Sequence, residues 1–177
     1  MPPKRSASVD EQAEQLRLEL GITTIPVPVE RIARALGAQL RYSPLENEIS
    51  GMIFIRDGAP IIGVNSLHHV HRQRFTIAHE IGHLRLHRDQ LAASVHVDKS
   101  FPVLRRDEQS ATGTDQIEVA ANRFAAALLV PQAIIDAEFK NKPSDIDDES
   151  PIEALSKKLR VSKQTLEYRI RNLEKSA

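Results

Sequence analysis

The sequence predicts an α+β fold, in which helices surround a small mixed or antiparallel sheet and a helical segment closes the chain. Two β-rich runs, 49–55 and 60–64, flank Asp57-Gly58, a dipeptide typical of hairpin turns. Longer stretches with apolar residues at helical spacing lie on both sides of this hairpin. Two short amphipathic segments within 151–177 share apolar residues and predict a pair that resembles a helix-turn-helix.

The elements of the first half follow from periodicity and from the residues that stop helices. Residues 9–20 predict an amphipathic helix ended by Gly21, and a second helix begins at Pro28, which suits the first helical turn. Residues 38–42 predict a strand that precedes the hairpin.

The hairpin and the helix after it carry two further expectations. Pro60 in the second hairpin strand favours a strand start or a sheet edge, because proline cannot donate to a strand ladder. We expect the following helix to open at a cap formed by Asn65-Ser66.

The second half alternates helical segments with polar ones. Residues 94–114 lack a clear period, apart from a short candidate strand at 101–104, and predict a flap or mobile loop. Residues 115–129 and 131–139 predict helices, and the acidic run 141–150 predicts a linker.

We therefore expect a main domain of residues 9–140, a linker at 141–150 and a helical subdomain at 151–177.

Composition excludes several classes of protein. The 177 residues are 41% hydrophobic and 27% charged with a net charge of zero, so nothing global favours nucleic acid or membrane as a partner. The chain has no cysteine, so disulfides and thiolate metal sites are excluded, and a metal must be held by His, Asp or Glu. The first residues lack the apolar core of a secretory signal, and the longest apolar run, 124–130, is too short to span a bilayer. We expect a cytoplasmic protein.

The most informative motif is His79-Glu80-Ile81-Gly82-His83, an H-E-x-x-H pattern on a predicted helix. Two histidines four residues apart lie on one helical face and can offer ring nitrogens to one Zn²⁺. Glu80 sits at the edge of that face, where a carboxylate can take a proton from a water that the metal activates.

The helical wheel places Thr76, His79, Glu80, His83 and His87 within an arc of roughly 100°, whereas most of the remaining surface is apolar. A helix that is apolar on most sides is buried, so the polar arc should face an internal cleft. The alternative is a capped or surface helix whose histidines are incidental.

A catalytic zinc site needs a third protein ligand, and Glu118 is the better candidate. His87 lies two turns, or about 12 Å, from His79 on a straight helix, and no glycine bends the chain after His83. Glu118 and Asn122 are one turn apart on a predicted helix, which suits a carboxylate ligand beside an amide that supports a zinc histidine. The alternative for Glu118 is a capping residue in the first helical turn.

Two motifs carry a family resemblance. F-T-I-A-H-E-I-G-H-L-R-L-H at 75–87 is followed by I-E-x-x-A-N-R-F-A-A-x-L-L-x-P at 117–131, and their order and spacing resemble those of the ImmA/IrrE family of bacterial metallopeptidases. The general likeness covers roughly residues 10–175. It implies a zincin-like metalloprotease domain followed by a helix-turn-helix-like end.

The resemblance also implies the roles of the site residues. His79, His83 and Glu118 would be ligands of Zn²⁺ (Mn²⁺ suits the same N/O ligands), Glu80 the catalytic base, and Asn122 the residue supporting a zinc histidine. Family members often carry Glu-Ala-Asn where this chain has Ala120-Ala121-Asn122. Glu118 keeps the Glu-x-x-x-Asn spacing, so we expect it to be the ligand.

The implied function is a zinc-dependent endopeptidase that cleaves a helix-turn-helix repressor of the ImmR or DdrO type and so derepresses stress-response or mobile-element genes. The alternative is a non-proteolytic regulator with a structural zinc site and C-terminal helices that bind DNA or a partner. The sequence does not decide which side chain would donate a hydrogen bond to the oxyanion. The candidates are Tyr42, His68, His69, His71, His87 and His96.

The C-terminal helices have two interpretations. Seven Lys or Arg against three Glu leave residues 151–177 with a net charge of +4, which favours DNA contact or recognition of a repressor. The alternative, two packing helices with a solvated basic face, is favoured over direct DNA binding because the excess charge is modest. A substrate strand can also add to a sheet edge beside the metal, and residues 60–64 are a candidate for that edge.

Overall fold

The computed structural model describes residues 7–91, 95–99, 113–139 and 150–176, and within them the α+β class is confirmed. Two helices precede three consecutive strands, two more helices separate these from the last described strand, and helices alone follow it. The bounds in chain order are α1 Val9–Glu19, α2 Val29–Ala35, β1 Gln39–Ser43, β2 Ile49–Arg56, β3 Ala59–Asn65, α3 Val70–Leu86, α4 Arg88–Leu91, β4 His96–Lys99, α5 Gly113–Leu129, α6 Gln132–Phe139, α7 Ser150–Leu159 and α8 Lys163–Ser176.

The four described strands form one mixed sheet in the order β1-β3-β2-β4. Strand β3 pairs parallel with β1 on one side and antiparallel with β2 on the other, where Ile53 lies opposite Ile62. Strand β4 pairs antiparallel with β2 and ends the sheet. The hairpin is therefore confirmed, but the prediction that 60–64 is an edge is wrong. Pro60 is tolerated because it lies near the start of β3.

Helix α3 is the centre of the molecule, and it packs against both the sheet and α5. Its residues from Arg74 to Leu84 are buried, which confirms that the motif helix is internal. Two glycines permit this packing. A Cβ on Gly51 of β2 would lie 2.4 Å from the Thr76 methyl carbon and 2.8 Å from the Gly63 carbonyl oxygen. A Cβ on Gly82 would lie 3.2 Å from the Ala121 carbonyl oxygen of α5.

Helix α3 begins at Val70 with His69 as its N-cap, so the predicted cap at Asn65-Ser66 is wrong. The Asn65 side chain is fully buried and has a different task. Its amide nitrogen donates to the Ile49 carbonyl oxygen at 2.8 Å, and its Oδ1 accepts from the Leu67 N–H at 3.0 Å. Asn65 thus ties the end of β3 to the start of β2 instead of capping a helix.

The C-terminal pair is formed as predicted, and it packs on the rest of the chain. Ser162 caps α8 by accepting from the Thr165 N–H at 3.1 Å, and α8 packs on α5. Buried Arg74 of α3 donates to the carbonyl oxygens of Arg160 and Val27, at 3.2 and 2.9 Å. The apolar residues of α7 and α8 consequently belong to the same core cluster as those of α3 and α5.

Two predictions fall on other parts of the chain. The candidate strand at 101–104 lies outside the described residues, as does the predicted linker at 141–150 except for Ser150, which begins α7. A strand is found slightly earlier, as β4. No single helix of the described ranges has the length and apolarity to cross a membrane. The helices α5 and α6, with a bend between them, meet both criteria when they are taken together.

Candidate metal centre

The two motif histidines meet inside the molecule. His79 is fully buried and His83 is 1% exposed, because the apolar residues around them pack α3 against the sheet and α5. Their Nε2 atoms are 2.9 Å apart and their ring centroids 4.6 Å apart. The four-residue spacing therefore brings both ring nitrogens to one point, as the motif predicts.

Glu118 reaches the same point from α5. Its Oε2 lies 3.3 Å from His79 Nε2, and its Oε1 lies 3.4 Å from His83 Nε2. The carboxylate is turned toward α3, and its side chain is only 19% exposed. A glutamate that capped the first turn of its own helix would instead bond to local backbone N–H groups. The contact geometry favours the ligand interpretation over the capping one.

Asn122, one turn further along α5, holds the far side of the first histidine. Its Oδ1 is 2.9 Å from His79 Nδ1, and Asn122 is 1% exposed. Because an amide oxygen only accepts hydrogen bonds, Nδ1 of His79 carries the proton and Nε2 keeps its lone pair. The lone pair then points toward Glu118 and His83, as a metal ligand requires.

Burial and charge favour the ligating forms of these groups. Burial lowers the pKa of His83 to about 3, although the nearby carboxylate of Glu118 raises it. The ring is therefore neutral at physiological pH. Burial alone would raise the pKa of Glu118, but the neighbouring rings of His79, His83 and His96 outweigh it and hold that pKa well below the usual carboxyl value. Glu118 is accordingly an anion beside the neutral ring of His83.

Glu80 is fully buried beside His79 and lies against strand β2. Its Oε1 is 3.4 Å from the position that a Cβ would take on Gly51. The absence of a side chain at Gly51 therefore lets the backbone of β2 approach the carboxylate of Glu80. The carboxylate therefore lies between α3 and the sheet.

His96, on strand β4, is a residue of this site that the sequence did not assign. Its Nε2 is 3.0 Å from Glu118 Oε1, and its ring centroid is 4.1 Å from that of His83. One ligand atom from each of His79, His83, His96 and Glu118 lies within 4.8 Å of the other three. The alternation Val95-His96-Val97 could have predicted this position of His96. Successive side chains of a strand point to opposite faces, so His96 points away from the face that carries both valines. Both valines are indeed exposed.

The other histidines do not join this group within the part of the chain that is described. His87 is the C-cap of α3, and its ring centroid is 5.9 Å from that of His83. The Nε2 of His68 is 3.1 Å from the Asn47 carbonyl oxygen, and His69 caps α3 through the His71 N–H. Ala120 contributes no ligand atom, so the carboxylate of this helix at the histidines is that of Glu118.

The donor set fits a divalent metal ion with N/O preference. Tetrahedral Zn²⁺ with ligands at about 2.0–2.1 Å has ligand atoms about 3.3 Å from one another. Four separations within the group, 2.9, 3.0, 3.3 and 3.4 Å, lie close to that value. Two neutral imidazoles and a carboxylate, with lone pairs converging in a buried site, are what such an ion needs.

Comparison with known proteins now decides the family. The model of the Peptidase_M78 family, described as the IrrE N-terminal-like domain, matches residues 33–171, which is well over half of the chain. The chain belongs to this family. Its membership agrees with the ImmA/IrrE resemblance of the two motifs.

Individual relatives extend this result. The radiation response metalloprotease IrrE of Deinococcus radiodurans is 29% identical over 158 residues, covering 76% of this chain and 45% of that protein. The protein of the same name from Deinococcus deserti is 41% identical over 88 residues, covering 46% of this chain and 28% of that protein. The chain thus spans less than half the length of these curated relatives.

A solved structure, that of a Mycobacterium tuberculosis transcriptional regulator, shares the fold. Its TM-score is 0.61 at 19% sequence identity, and the match covers 91% of this chain and 46% of that chain. At this identity the likeness concerns the fold alone.

Proposed function

We propose that this chain is a zinc-dependent endopeptidase and that its substrate is a helix-turn-helix transcriptional repressor. The observation that carries the proposal is the convergence of His79, His83 and Glu118, together with the full burial of Glu80, the residue that follows His79 on α3. Membership of a peptidase family supports the same reaction class. We also propose that Mn²⁺ can replace Zn²⁺, because both accept this N/O donor set.

Each residue has a distinct task in the proposed reaction. His79, His83 and Glu118 would hold the metal, which when bound supplies a Lewis acid that activates water and polarises the scissile carbonyl. Glu80 accepts the proton of the attacking water and delivers it to the leaving amine. Asn122 keeps His79 in the tautomer that presents Nε2. Glu118 balances the charge of the metal with an anion that remains ionised.

The proposed substrate rests on the family and on the shape of the site. Two relatives are named radiation response metalloproteases, and a repressor is the substrate that the family resemblance implies. Such a substrate also favours a cytoplasmic protein. Within the described residues the sheet ends beside the ligand cluster, and a peptide segment in extended form can pair with the edge of such a sheet. Stress-response or mobile-element genes would be derepressed when the repressor is cut.

For the C-terminus we propose a helical subdomain of residues 151–177 joined to the peptidase domain of residues 9–140 through the acidic linker 141–150. Its task would be to contact the repressor rather than DNA. One of its basic residues, Arg169, is 3% exposed and ion-paired with Asp10, so it is not available to phosphate groups.

One observation favours a second function. A histidine at the fourth position, His96, resembles the closed coordination of structural zinc sites, in which four protein ligands leave no place for water. The alternative is therefore a non-proteolytic regulator whose metal stabilises the fold. Glu80 discriminates between the two, because a structural site does not require a buried carboxylate beside its first ligand.

The test mixes the metal-loaded chain with the helix-turn-helix repressor encoded beside its gene and follows cleavage by mass spectrometry. Glu80→Gln should abolish cleavage while the metal content stays near one ion per chain, because the amide keeps the shape but accepts no proton. Asp57→Asn, an exposed change of a carboxylate to an amide in the turn between β2 and β3, is the matched control and should cleave normally. Undiminished cleavage by Glu80→Gln would contradict the mechanism.

A further inference from the structure

We infer that His96 is a fourth protein ligand of the metal, and that strand β4 must release this ring before water can occupy its place. The inference deepens the proposed peptidase function, and it assigns to β4 the role of a built-in inhibitory segment. The geometry of four residues carries it: His79, His83, His96 and Glu118.

The first step is the position of the His96 ring. Its Nε2 is 3.0 Å from Glu118 Oε1, while His83 Nε2 is 3.4 Å from the same oxygen. These separations match those between ligands of one tetrahedral ion, about 3.3 Å. A side chain that only stabilised an oxyanion would hydrogen-bond to an oxygen that is itself a ligand. Such a donor would stand one atom further from a bound metal than a ligand atom does.

The second step is the consequence for water. A catalytic zinc site has three protein ligands and keeps one position for water or substrate, whereas a site with four protein ligands is closed. If His96 takes the fourth position, Glu80 has no water from which to remove a proton. Release of the ring would restore the open position, because the place given up by His96 Nε2 would then be free for water.

The third step is the means of release. His96 lies on a strand of four residues that ends the sheet and pairs with β2 alone among the described strands. Its side chain is 26% exposed, whereas His79 and His83 are almost fully buried on α3. The pairing with β2 is interrupted by a register shift between Ile49 and Gly51. The backbone therefore holds His96 less firmly than it holds the other ligands. An extended substrate that competes with β4 for the edge of β2 would displace His96.

Metal coordination tests the assignment independently of cleavage. X-ray absorption of the zinc-loaded chain should count three imidazole ligands in the unmodified protein and two in His96→Ala. The change should also weaken zinc binding by about tenfold or more, a loss at least comparable with that of residues that merely support a ligand. His87→Ala, which removes the neighbouring ring outside the cluster, is the matched control and should keep three imidazoles. Two imidazoles in the unmodified chain would overturn the assignment.

Activity separates an inhibitory ligand from a catalytic donor. At saturating zinc, His96→Ala should cleave the repressor at least as fast as the unmodified chain. A loss of kcat with unchanged zinc affinity would mean that His96 stabilises the oxyanion, and it would overturn our inference. If neither protein cleaved while three imidazoles were counted, the fourth-ligand assignment would stand and the peptidase proposal would fail.

A reversible cross-link tests the movement of β4. Met52 and Val97 are directly paired across β2 and β4, and the chain contains no cysteine, so Met52→Cys with Val97→Cys forms one defined disulfide. The oxidised form should not cleave, and reduction should restore cleavage. Arg56→Cys with Ala59→Cys, which joins β2 to β3, is the control and should cleave in both states. Equal cleavage by the oxidised and reduced β2–β4 variant would overturn the inference.

Discussion

Gly82 of α3 lies against the backbone of Ala121 in α5, and this contact sets the distance between the two helices that supply the ligand atoms. A Cβ on Gly82 would be 3.2 Å from the Ala121 carbonyl oxygen and 3.3 Å from its Cα. His83 follows Gly82 on α3, and Asn122 follows Ala121 on α5. Glycine within the H-E-x-x-H motif thus permits the approach that brings Glu118 to the histidines.

We predict that Gly82→Ala weakens both zinc binding and stability. Alanine is the better helix former by up to about 1 kcal/mol, so propensity alone would stabilise the variant. The added methyl must instead displace the α5 backbone by a few tenths of an ångström, and overpacking of this kind costs about 1–3 kcal/mol. Zinc titration and thermal unfolding measure the two effects. A raised Tm with unchanged zinc affinity would show that the contact does not set the helix spacing.

Glu118→Gln should lower zinc affinity by at least about tenfold, because a neutral amide replaces the anion that faces the imidazoles. Isothermal titration with Zn²⁺ measures the loss. Full zinc affinity in the variant would remove Glu118 from the ligand set.

The Glu118→Gln variant also tests whether position 120, where this chain has alanine and family members often have glutamate, could supply the ligand. Residues 118 and 120 point to nearly opposite sides of a helix, at about 100° per residue. Adding Ala120→Glu to Glu118→Gln should therefore not restore zinc binding. Restoration would mean that position 120 carries the ligand in this chain.

The sequence predicted the parts of the site that lie on helices, and it failed where tertiary contacts decide. His79, His83, Glu118 and Asn122 have spacings that fix their faces on α3 and α5, so helical geometry brings them to one side. His96 has no other site residue at a fixed spacing from it in the sequence. Its position in the site therefore depends on the strand with which β4 pairs. The order β1-β3-β2-β4 likewise depends on a parallel pairing between β1 and β3, and no turn motif in the sequence predicts that pairing. The Asn65 cap was wrong because a buried amide can satisfy several backbone groups of a distant loop.

Asn122→Leu should reduce zinc affinity by about 10–100-fold, the usual effect of losing the partner of a metal histidine. The change removes the acceptor for His79 Nδ1, so the ring no longer has a fixed tautomer. Asn122→Asp keeps an acceptor at the same atom and is the control, with an affinity expected to stay close to that of the unmodified chain. Zinc titration of both variants measures the difference, and equal losses would contradict the role of the acceptor.

Gly51→Ala should destabilise the chain by about 1–3 kcal/mol, because the new methyl meets both a side chain and a backbone oxygen. Thr76→Ser removes the methyl carbon that lies 2.4 Å from the new Cβ, whereas the Gly63 oxygen at 2.8 Å remains. The double variant should therefore recover only part of the stability. Chemical unfolding of the four proteins gives the coupling between the two sites. Full recovery would show that the sheet backbone adjusts freely.

Asp10 joins α1 to α5 and α8. Replacing it should change the stability of the chain in a pH-dependent way. It accepts from Arg123 of α5 at 2.7 Å and from Arg169 of α8 at 2.5 Å. Burial raises its pKa, but the two guanidinium groups outweigh burial and lower that pKa below the ordinary value of 3.8. A depressed folded-state pKa stabilises the fold above the unfolded pKa, and this stabilisation is lost as pH falls through the folded one. Asp10→Asn should therefore cost about 1–3 kcal/mol at neutral pH, with a difference from the unmodified chain that shrinks below about pH 4.

Chemical unfolding between pH 3 and pH 7 measures that difference. Asp57→Asn is the matched control, because its side chain is 94% exposed and its carboxylate is 3.8 Å from Arg56. An exposed pair of this kind contributes little to stability, so the control should follow the unmodified chain at every pH. A constant difference for Asp10→Asn across the whole range would mean that the carboxylate stabilises the fold by its shape and hydrogen bonds rather than by its charge.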